Sequence, residues 1–268
     1  MSNKKRLDVA MTEQGLAESR QKAQAVIMAG QVYVDGQKVD KAGAPVGESA
    51  RIEVRGKTMP YVSRGGLKLE KAMACWPICL EGAVCADIGA STGGFTDCML
   101  QNGAAKVFAV DVGYNQLDWR LRTHPKVVCM ERTNARYLTV EQIPQPLDFF
   151  SVDVSFISLN LILPALRPLM APGGEGVCLV KPQFEAGKGR VGKKGVVRDP
   201  EVPLEVLSQF LIHAENADFT VKDITFSPIK GPEGNIEYLG HLRAGAGVPY
   251  GGDLWELVQR SHNVWKEG

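Results

Sequence analysis

The chain runs through Ala83–Ile88, apolar apart from Asp87, into Gly89-Ala90-Ser91-Thr92-Gly93-Gly94, and leaves that turn on the helical apolar pattern Phe95–Leu100. A strand that feeds so abruptly into a helix is the opening unit of a nucleotide-type α/β fold. Glycines let the backbone bend sharply and let a ligand come close to the main chain. The helix that follows offers unpaired N–H groups at its start. The spacing is not G-x-G-x-x-G, and Asp87 would repel a pyrophosphate, so a dinucleotide is excluded as the natural guest. A carboxylate just ahead of the turn suits a ligand carrying an ammonium or hydroxyl group, of which S-adenosylmethionine is one. An ordinary glycine-rich βα turn explains the loop equally well on its own.

Further segments repeat the alternation. Strands are expected at Lys106–Asp111, Val127–Met130, Leu147–Asp153 and Val177–Lys181. A helix is expected ahead of the opening strand, over Arg64–Met73 and capped by Ser63, and further helices over Gln116–Arg122 and over Leu159–Met170 despite Pro164, with Pro172-Gly173-Gly174 as a turn. Asp199 is placed to cap a helix over Val202–Ala214. Two last strands, Thr220–Phe226 and Ile236–Leu242, and a terminal helix, Asp253–Trp265, complete the pattern. This is an open α/β sheet, and such sheets bind ligands outside the carboxyl ends of their strands. Asp87, Asp111, Asn134, Asp153 and Lys181 all fall at carboxyl ends. One charged strand end means little; five in succession argue for a shared site. Asp111, about twenty residues beyond the turn, is placed to take ribose hydroxyls.

A smaller module comes first. Two short helices, Arg6–Gly15 and Arg20–Ala29 with Ser19 as cap, precede strands at Gln31–Val34, Gln37–Val39 and Arg51–Arg55, with Asp35-Gly36 as a hairpin turn. Charge is unevenly placed. Residues 1–60 hold ten Lys/Arg against seven Asp/Glu, a net +3, while the whole chain of 268 residues is only +1. A basic front end points to an anionic partner. The six cysteines form no C-x-x-C and do not pair with the four histidines at metal spacing, so a reducing cytoplasm and no metal are expected. No apolar segment is long enough to span a bilayer.

Arg6-Leu7-Asp8, Gly15, Ser19-Arg20, Ala23, Ile27 and Gly30-x-Val32-x-Val34-x-Gly36 resemble the alpha-L RNA-binding module. The resemblance implies backbone contacts to RNA by Arg6, Arg20 and Lys22. Four further motifs resemble the TlyA family, which carries such a module ahead of an FtsJ-like ribose 2′-O-methyltransferase and has also borne a haemolysin label. They are Ser63-Arg64-Gly65-Gly66-x-Lys68-Leu69, Asp87 to Asp97, Asp153-Val154-Ser155-Phe156-Ile157-Ser158-Leu159, and Leu179-Val180-Lys181-Pro182-Gln183-Phe184-Glu185.

The resemblance implies an RNA-binding domain over 1–57, a linker over 58–62, and a Rossmann-like methyltransferase domain over 63–268. It implies methyl transfer from S-adenosylmethionine to a cytidine 2′-hydroxyl of ribosomal RNA, with Lys68, Asp153, Lys181 and Glu237 as a catalytic tetrad. A lysine is a base only when neutral, which a second ammonium and loss of water favour; Lys181 is the expected base. Asp87, Gly89, Ser91, Thr92, Gly93, Gly94 and Phe95 are expected around the methionine part of the cofactor, with Asp111 at its ribose and Asn134 near its adenosine. Arg64, Arg132, Arg136 and Lys188 are expected on RNA phosphates, and Phe156 against an unstacked base. Two other classes compete: an RNA-binding assembly factor without catalysis, and a membrane-active protein.

Overall fold

The computed structural model describes residues 4–28, 30–55, 59–187, 189–192 and 195–265. The chain divides into two compact units, Met1–Pro60 and Tyr61–Gly268.

In the first unit, β1 (Lys5–Arg6) leads into α1 (Leu7–Glu13) and α2 (Arg20–Met28). Then come β2 (Val32–Val34), β3 (Gln37–Lys38), β4 (Pro45–Val46) and β5 (Ile52–Val54). The sheet order is β3-β2-β5, and Asp35 and Gly36 both have positive φ (50° and 81°), as a tight two-residue hairpin turn requires. Ser19 Oγ accepts from the Lys22 N–H, the expected cap. β1 pairs antiparallel with β4, a two-residue ladder that no sequence pattern announces. Leu7, Met11, Ala23, Ile27 and Val32 are fully buried and form the small core.

The second unit opens with α3 (Gly66–Cys75), β6 (Val84–Ile88), α4 (Gly94–Gln101), β7 (Lys106–Val110), α5 (Trp119–Arg122), β8 (Val127–Met130) and β9 (Leu147–Val152). It continues through α6 (Leu163–Leu166), β10 (Met170–Val180), α7 (Pro182–Glu185), α8 (Glu201–Asn216), β11 (Phe219–Phe226), β12 (Tyr238–Ala244) and α9 (Leu254–Val264). One seven-stranded sheet has the order β11-β12-β10-β9-β6-β7-β8. β10, β9, β6, β7 and β8 run parallel, while β12 is antiparallel to both β10 and β11. From β6 the chain builds outward first to β7 and β8, then to β9 and beyond, so the crevice lies beyond the ends of β6 and β9.

Both faces are covered, as a largely parallel sheet requires. Alternation along the strands divides the core. Phe149, Val177, Leu179 and Leu239 pack with Leu69, Ala72, Cys98 and Met99. Their neighbours Phe150, Cys178 and Val180 pack with Leu163, Val206, Phe210 and Leu257 on the opposite face.

Several elements differ from the sequence reading. The expected Leu159–Met170 helix is three short pieces, with 3₁₀ turns at Leu159–Leu161 and Arg167–Leu169 flanking α6; Pro164 and Pro168 supply no N–H to carry a longer ladder. The Gln116–Arg122 helix shrinks to α5, because the Asp118 side chain accepts from the Arg120 N–H and starts the helix there. Pro172-Gly173-Gly174 lies inside β10, where the register with β9 shifts between Met170 and Glu175. Ser63 does not cap α3 through its hydroxyl; Gly65 holds the cap position, and the Gly66 N–H donates to the Ser63 carbonyl at 3.2 Å. A Cβ on Gly66 would stand 2.4 Å from the Tyr61 ring, and one on Gly94 only 2.3 Å from Ser63 Oγ. The two glycine-rich turns therefore pack directly on each other.

Candidate active site

β6 ends in the turn that begins at Gly89. Gly89 has φ +84°, and a Cβ there would fall 2.4 Å from the Asp153 carbonyl oxygen. Nothing larger than glycine lets the β6 and β9 ends meet this closely. The Asp153 N–H donates to the Ile88 carbonyl at 2.9 Å, which locks the two ends together. Asp87, at the end of β6, is buried, with Oδ2 accepting from the Thr96 N–H (2.9 Å) and hydroxyl (2.7 Å) and Oδ1 from the Ser151 hydroxyl (3.0 Å). Burial pushes its carboxyl up to about 6 against the pull of those hydrogen bonds. Asp87 thus staples β6 to β9 and to the first turn of α4, and it lines the adjacent cavity as well.

Four ionisable side chains converge at the carboxyl ends. Lys68 sits in the first turn of α3 and is buried. Its Nζ lies 2.8 Å from Glu237 Oε2 and 3.2 Å from Asp153 Oδ2. Lys181 directly follows β10, with Nζ 2.5 Å from Asp153 Oδ1 and 3.1 Å from Ser155 Oγ. Asp153 therefore bridges both lysines, and Glu237 holds Lys68 alone. Lys68, Lys181 and Glu237 are buried, Glu237 almost completely at 1% exposure. Burial works to raise the Asp153 carboxyl, but Lys68 and Lys181 outweigh it and hold Asp153 below the usual carboxylate range. Two cations and two anions make a neutral cluster, which a buried site tolerates far better than a net charge.

Glu237 precedes β12 instead of lying within a strand, as the sequence pattern had it. Its arrival follows from topology. β12 runs against β10 with Tyr238 opposite Val180, so the residue before β12 and the residue after β10 share one end of the sheet.

A cavity of about 300 Å³ opens beside the cluster. It is lined by Lys68, Asp153, Lys181 and Glu237, by Asp87, Gly89, Ser91, Gly94 and Phe95 from the turn, and by Ser63, Arg64 and Gly65 from the second turn. Ser155, Lys230, Gly231 and Pro232 also line it. Lys230 lies in a Pro/Gly-rich loop that gave no chemical signal in the sequence. Thr92, Gly93, Asp111 and Asn134 lie outside this lining. Asp111 accepts from the Ser91 N–H at 2.8 Å and the Gly113 N–H at 2.7 Å, shaping the turn. The Asn134 side chain accepts from the Arg136 N–H.

The residues expected on RNA are dispersed. Phe156 has φ +63°, is 89% exposed, and stands 4.7 Å from the Phe184 ring. Glu185 accepts from Ser158 Oγ (2.7 Å) and the Leu159 N–H (2.9 Å), fixing α7 to the segment that carries Phe156. Arg132 lies over the Tyr114 ring and Arg136 over Tyr137. In the first unit, Arg6 and Arg20 both bind the buried Asp8, which Gln24 also reaches at 2.7 Å; Arg6 above all holds that carboxyl well below its usual range. Lys22 pairs with Glu18. Lys188 lies outside the described residues, as do residues 56 and 57 at the end of the expected first domain and residue 58 at the start of the linker. Among the described residues, no three His, Cys, Asp or Glu side chains gather as a metal site, and no helix is long and apolar enough to cross a membrane.

Comparison with known proteins gives two matches along the chain: S4 domain over residues 5–52 and FtsJ-like methyltransferase over 61–244. The chain is 49% identical to YqxC of Bacillus subtilis, a candidate rRNA methyltransferase, over 99% of this chain and 97% of that protein. It is 43% identical to the 16S/23S rRNA (cytidine-2′-O)-methyltransferase TlyA of Mycobacterium tuberculosis, over 91% of each. A solved structure of a candidate hemolysin from Streptococcus thermophilus superposes with TM-score 0.79 at 45% identity, covering 100% of this chain and 98% of that one.

Proposed function

The chain belongs to the FtsJ-like methyltransferase family, with an S4 domain ahead of the catalytic unit, and from that premise we propose that it methylates cytidine 2′-hydroxyls in ribosomal RNA, of the large subunit alone or of both subunits. The relative of M. tuberculosis carries that activity in its name. The observation that carries the reading is the neutral, buried Lys68–Asp153–Lys181–Glu237 cluster opening onto the glycine-rich turn.

The cavity fits S-adenosylmethionine. Gly89 and Gly94 leave no room for side chains, so the turn offers bare backbone, and Asp87 and Ser91 present oxygens to an ammonium or hydroxyl. Gly93 and Thr92 belong to the same turn; Asp111, which accepts from the Ser91 N–H, takes the cofactor ribose, and Asn134 its adenosine. When bound, the cofactor supplies an electrophilic methyl group. The protein's task is then to hold a ribose hydroxyl in line and relieve it of its proton.

Lys181 does this. Asp153 and Ser155 take two of the three directions around its Nζ, leaving the third for the hydroxyl. Lys68, on the other oxygen of Asp153, shares that carboxylate with Lys181 and fixes its orientation. Glu237 keeps Lys68 in place. Exposed Phe156, braced by Phe184, stacks on the target base once it leaves its helix. Arg64 at the cavity, and Arg132, Arg136 and Lys188 elsewhere, meet RNA phosphates. Arg6, Arg20 and Lys22 of the S4 unit grip RNA elsewhere, reading shape more than sequence. Such a substrate places the enzyme in the cytoplasm.

The test is transfer of labelled methyl from S-adenosylmethionine to purified unmodified small and large subunits, with Lys181→Ala alongside. Label resisting alkali as a 2′-O-methylated dinucleotide, and absent with the mutant, is the expected result. A fully active Lys181→Ala removes the base assignment. Cofactor binding with no transfer to either subunit favours an assembly factor without catalysis, and leakage of liposomes treated with the pure protein favours a membrane activity.

A further inference from the structure

Lys230 is a cation at the mouth of the catalytic cavity that the reaction as described does not use. It lies between β11 and β12, and it lines the cavity with Gly231, Pro232 and Glu237. No carboxylate among the described residues lies within ion-pair distance of its Nζ. Its neighbour is the Trp265 ring, whose centroid lies 5.0 Å from Nζ. Trp265 stands just beyond the end of α9, and its Nε1 is buried without a hydrogen-bond partner among the described residues. A buried indole N–H left unpaired is costly. The ring sits where its face serves the ammonium, at the expense of its own polar atom.

We infer that Lys230 binds the phosphodiester on the 3′ side of the reacting ribose, and that Trp265 is a positioning residue that holds Lys230 for this contact. The inference rests on the proposed RNA 2′-hydroxyl chemistry. On a ribose, the 2′-hydroxyl and the 3′-phosphate occupy adjacent carbons. A hydroxyl presented to Lys181 therefore carries a phosphate into the same small cavity mouth. Lys68 and Lys181 are both committed to Asp153, and Lys68 also to Glu237, so neither is free to neutralise it. Lys230 has no such commitment. Aromatic contact restrains an ammonium without cancelling its charge, which suits a cation waiting for an anion. Through Trp265 the terminal helix gains a direct line to substrate.

The experiment uses full-length protein and whichever purified ribosomal subunit accepts methyl from wild-type enzyme; absence of wild-type transfer fails the parent reading and not this one. Lys230→Ala is expected to raise KM for the subunit about 10-fold or more, with kcat changed much less. The slope of log affinity against log salt is expected to flatten by about 0.7–0.9, the signature of one lost phosphate contact. Lys230→Arg restores most of both. Trp265→Leu shows the same two changes to a smaller degree, and Trp265→Phe, which keeps an aromatic face, recovers them. S-adenosylmethionine affinity, measured by calorimetry without RNA, is unchanged in Lys230→Ala. An unaltered KM and salt slope in Lys230→Ala overturns the phosphate contact, as does a loss of cofactor affinity, which would assign the cation to the cofactor carboxylate. A Trp265→Leu enzyme with wild-type salt slope overturns the positioning role.

Discussion

Removing Lys68 tests whether the cluster is one electrostatic unit. Lys68→Met preserves the bulk of the side chain and deletes the charge. It strands Glu237, which is 1% exposed and loses its 2.8 Å partner, and it leaves Asp153 with Lys181 alone. An uncompensated buried charge costs roughly 3–5 kcal/mol. Glu237→Gln alone keeps an oxygen near Lys68 and costs less, about 1–3 kcal/mol. The double variant leaves two neutral groups facing each other. Its loss is expected to fall short of the sum by about 2 kcal/mol, since the stranded carboxylate no longer exists. Urea unfolding followed by tryptophan fluorescence is the assay. All four tryptophans (Trp76, Trp119, Trp255 and Trp265) lie in the second unit, so the signal reports on the unit that holds the cluster. Single and double losses that add to within about 0.5 kcal/mol would refute the reasoning, because independent sites behave that way.

Three other outcomes follow from the geometry. Asp87 binds its proton more tightly folded than unfolded, about 6 against 3.8, so rising pH across that interval costs the native state up to roughly 3 kcal/mol at this group; wild type measured against Asp87→Asn should lose relative stability between those pH values, and a flat difference contradicts the burial argument. Gly89→Ala drives a methyl into the Asp153 carbonyl at a left-handed φ, with an expected loss of about 2–3 kcal/mol in thermal unfolding and of methyl transfer together. Asp8→Ala leaves Arg6, Arg20 and Gln24 without their shared acceptor, so amide exchange in α1 and α2 should speed up by an amount equivalent to about 1–3 kcal/mol, while tryptophan-monitored unfolding stays put.

The α/β character and the members of the Lys68–Asp153–Lys181–Glu237 cluster were legible in the sequence for different reasons. The β6 turn was readable because strand, glycines and helix are contiguous. Asp153 and Lys181 were readable as charged strand ends, whereas Lys68 and Glu237, far apart in the chain, were reached only through motif resemblance. The inward orientation of Lys68 depends on Glu237, whose position depends on β12 running antiparallel, and no local pattern encodes that. Lys230 was missed because an irregular loop has no periodicity from which to infer direction. The broken 159–169 region and the bulge in β10 were misread where prolines and glycines let tertiary packing override local propensity.

The placement of β12 also governs when this protein becomes itself. β12 lies between β10 and β11 although it follows both in the chain. As the polypeptide is synthesised, β11 emerges with no strand to pair with, and the edge of β10 stays open until β12 slots in. That insertion delivers Glu237. Before it, Lys68 has one carboxylate to share with Lys181, and the pair of lysines carries excess positive charge. Such long-range pairing is late and slow in folding. Newborn chains emerge from the very particles that the enzyme is proposed to modify, and this strand order leaves the four-residue cluster incomplete until nearly all of the sheet has been made.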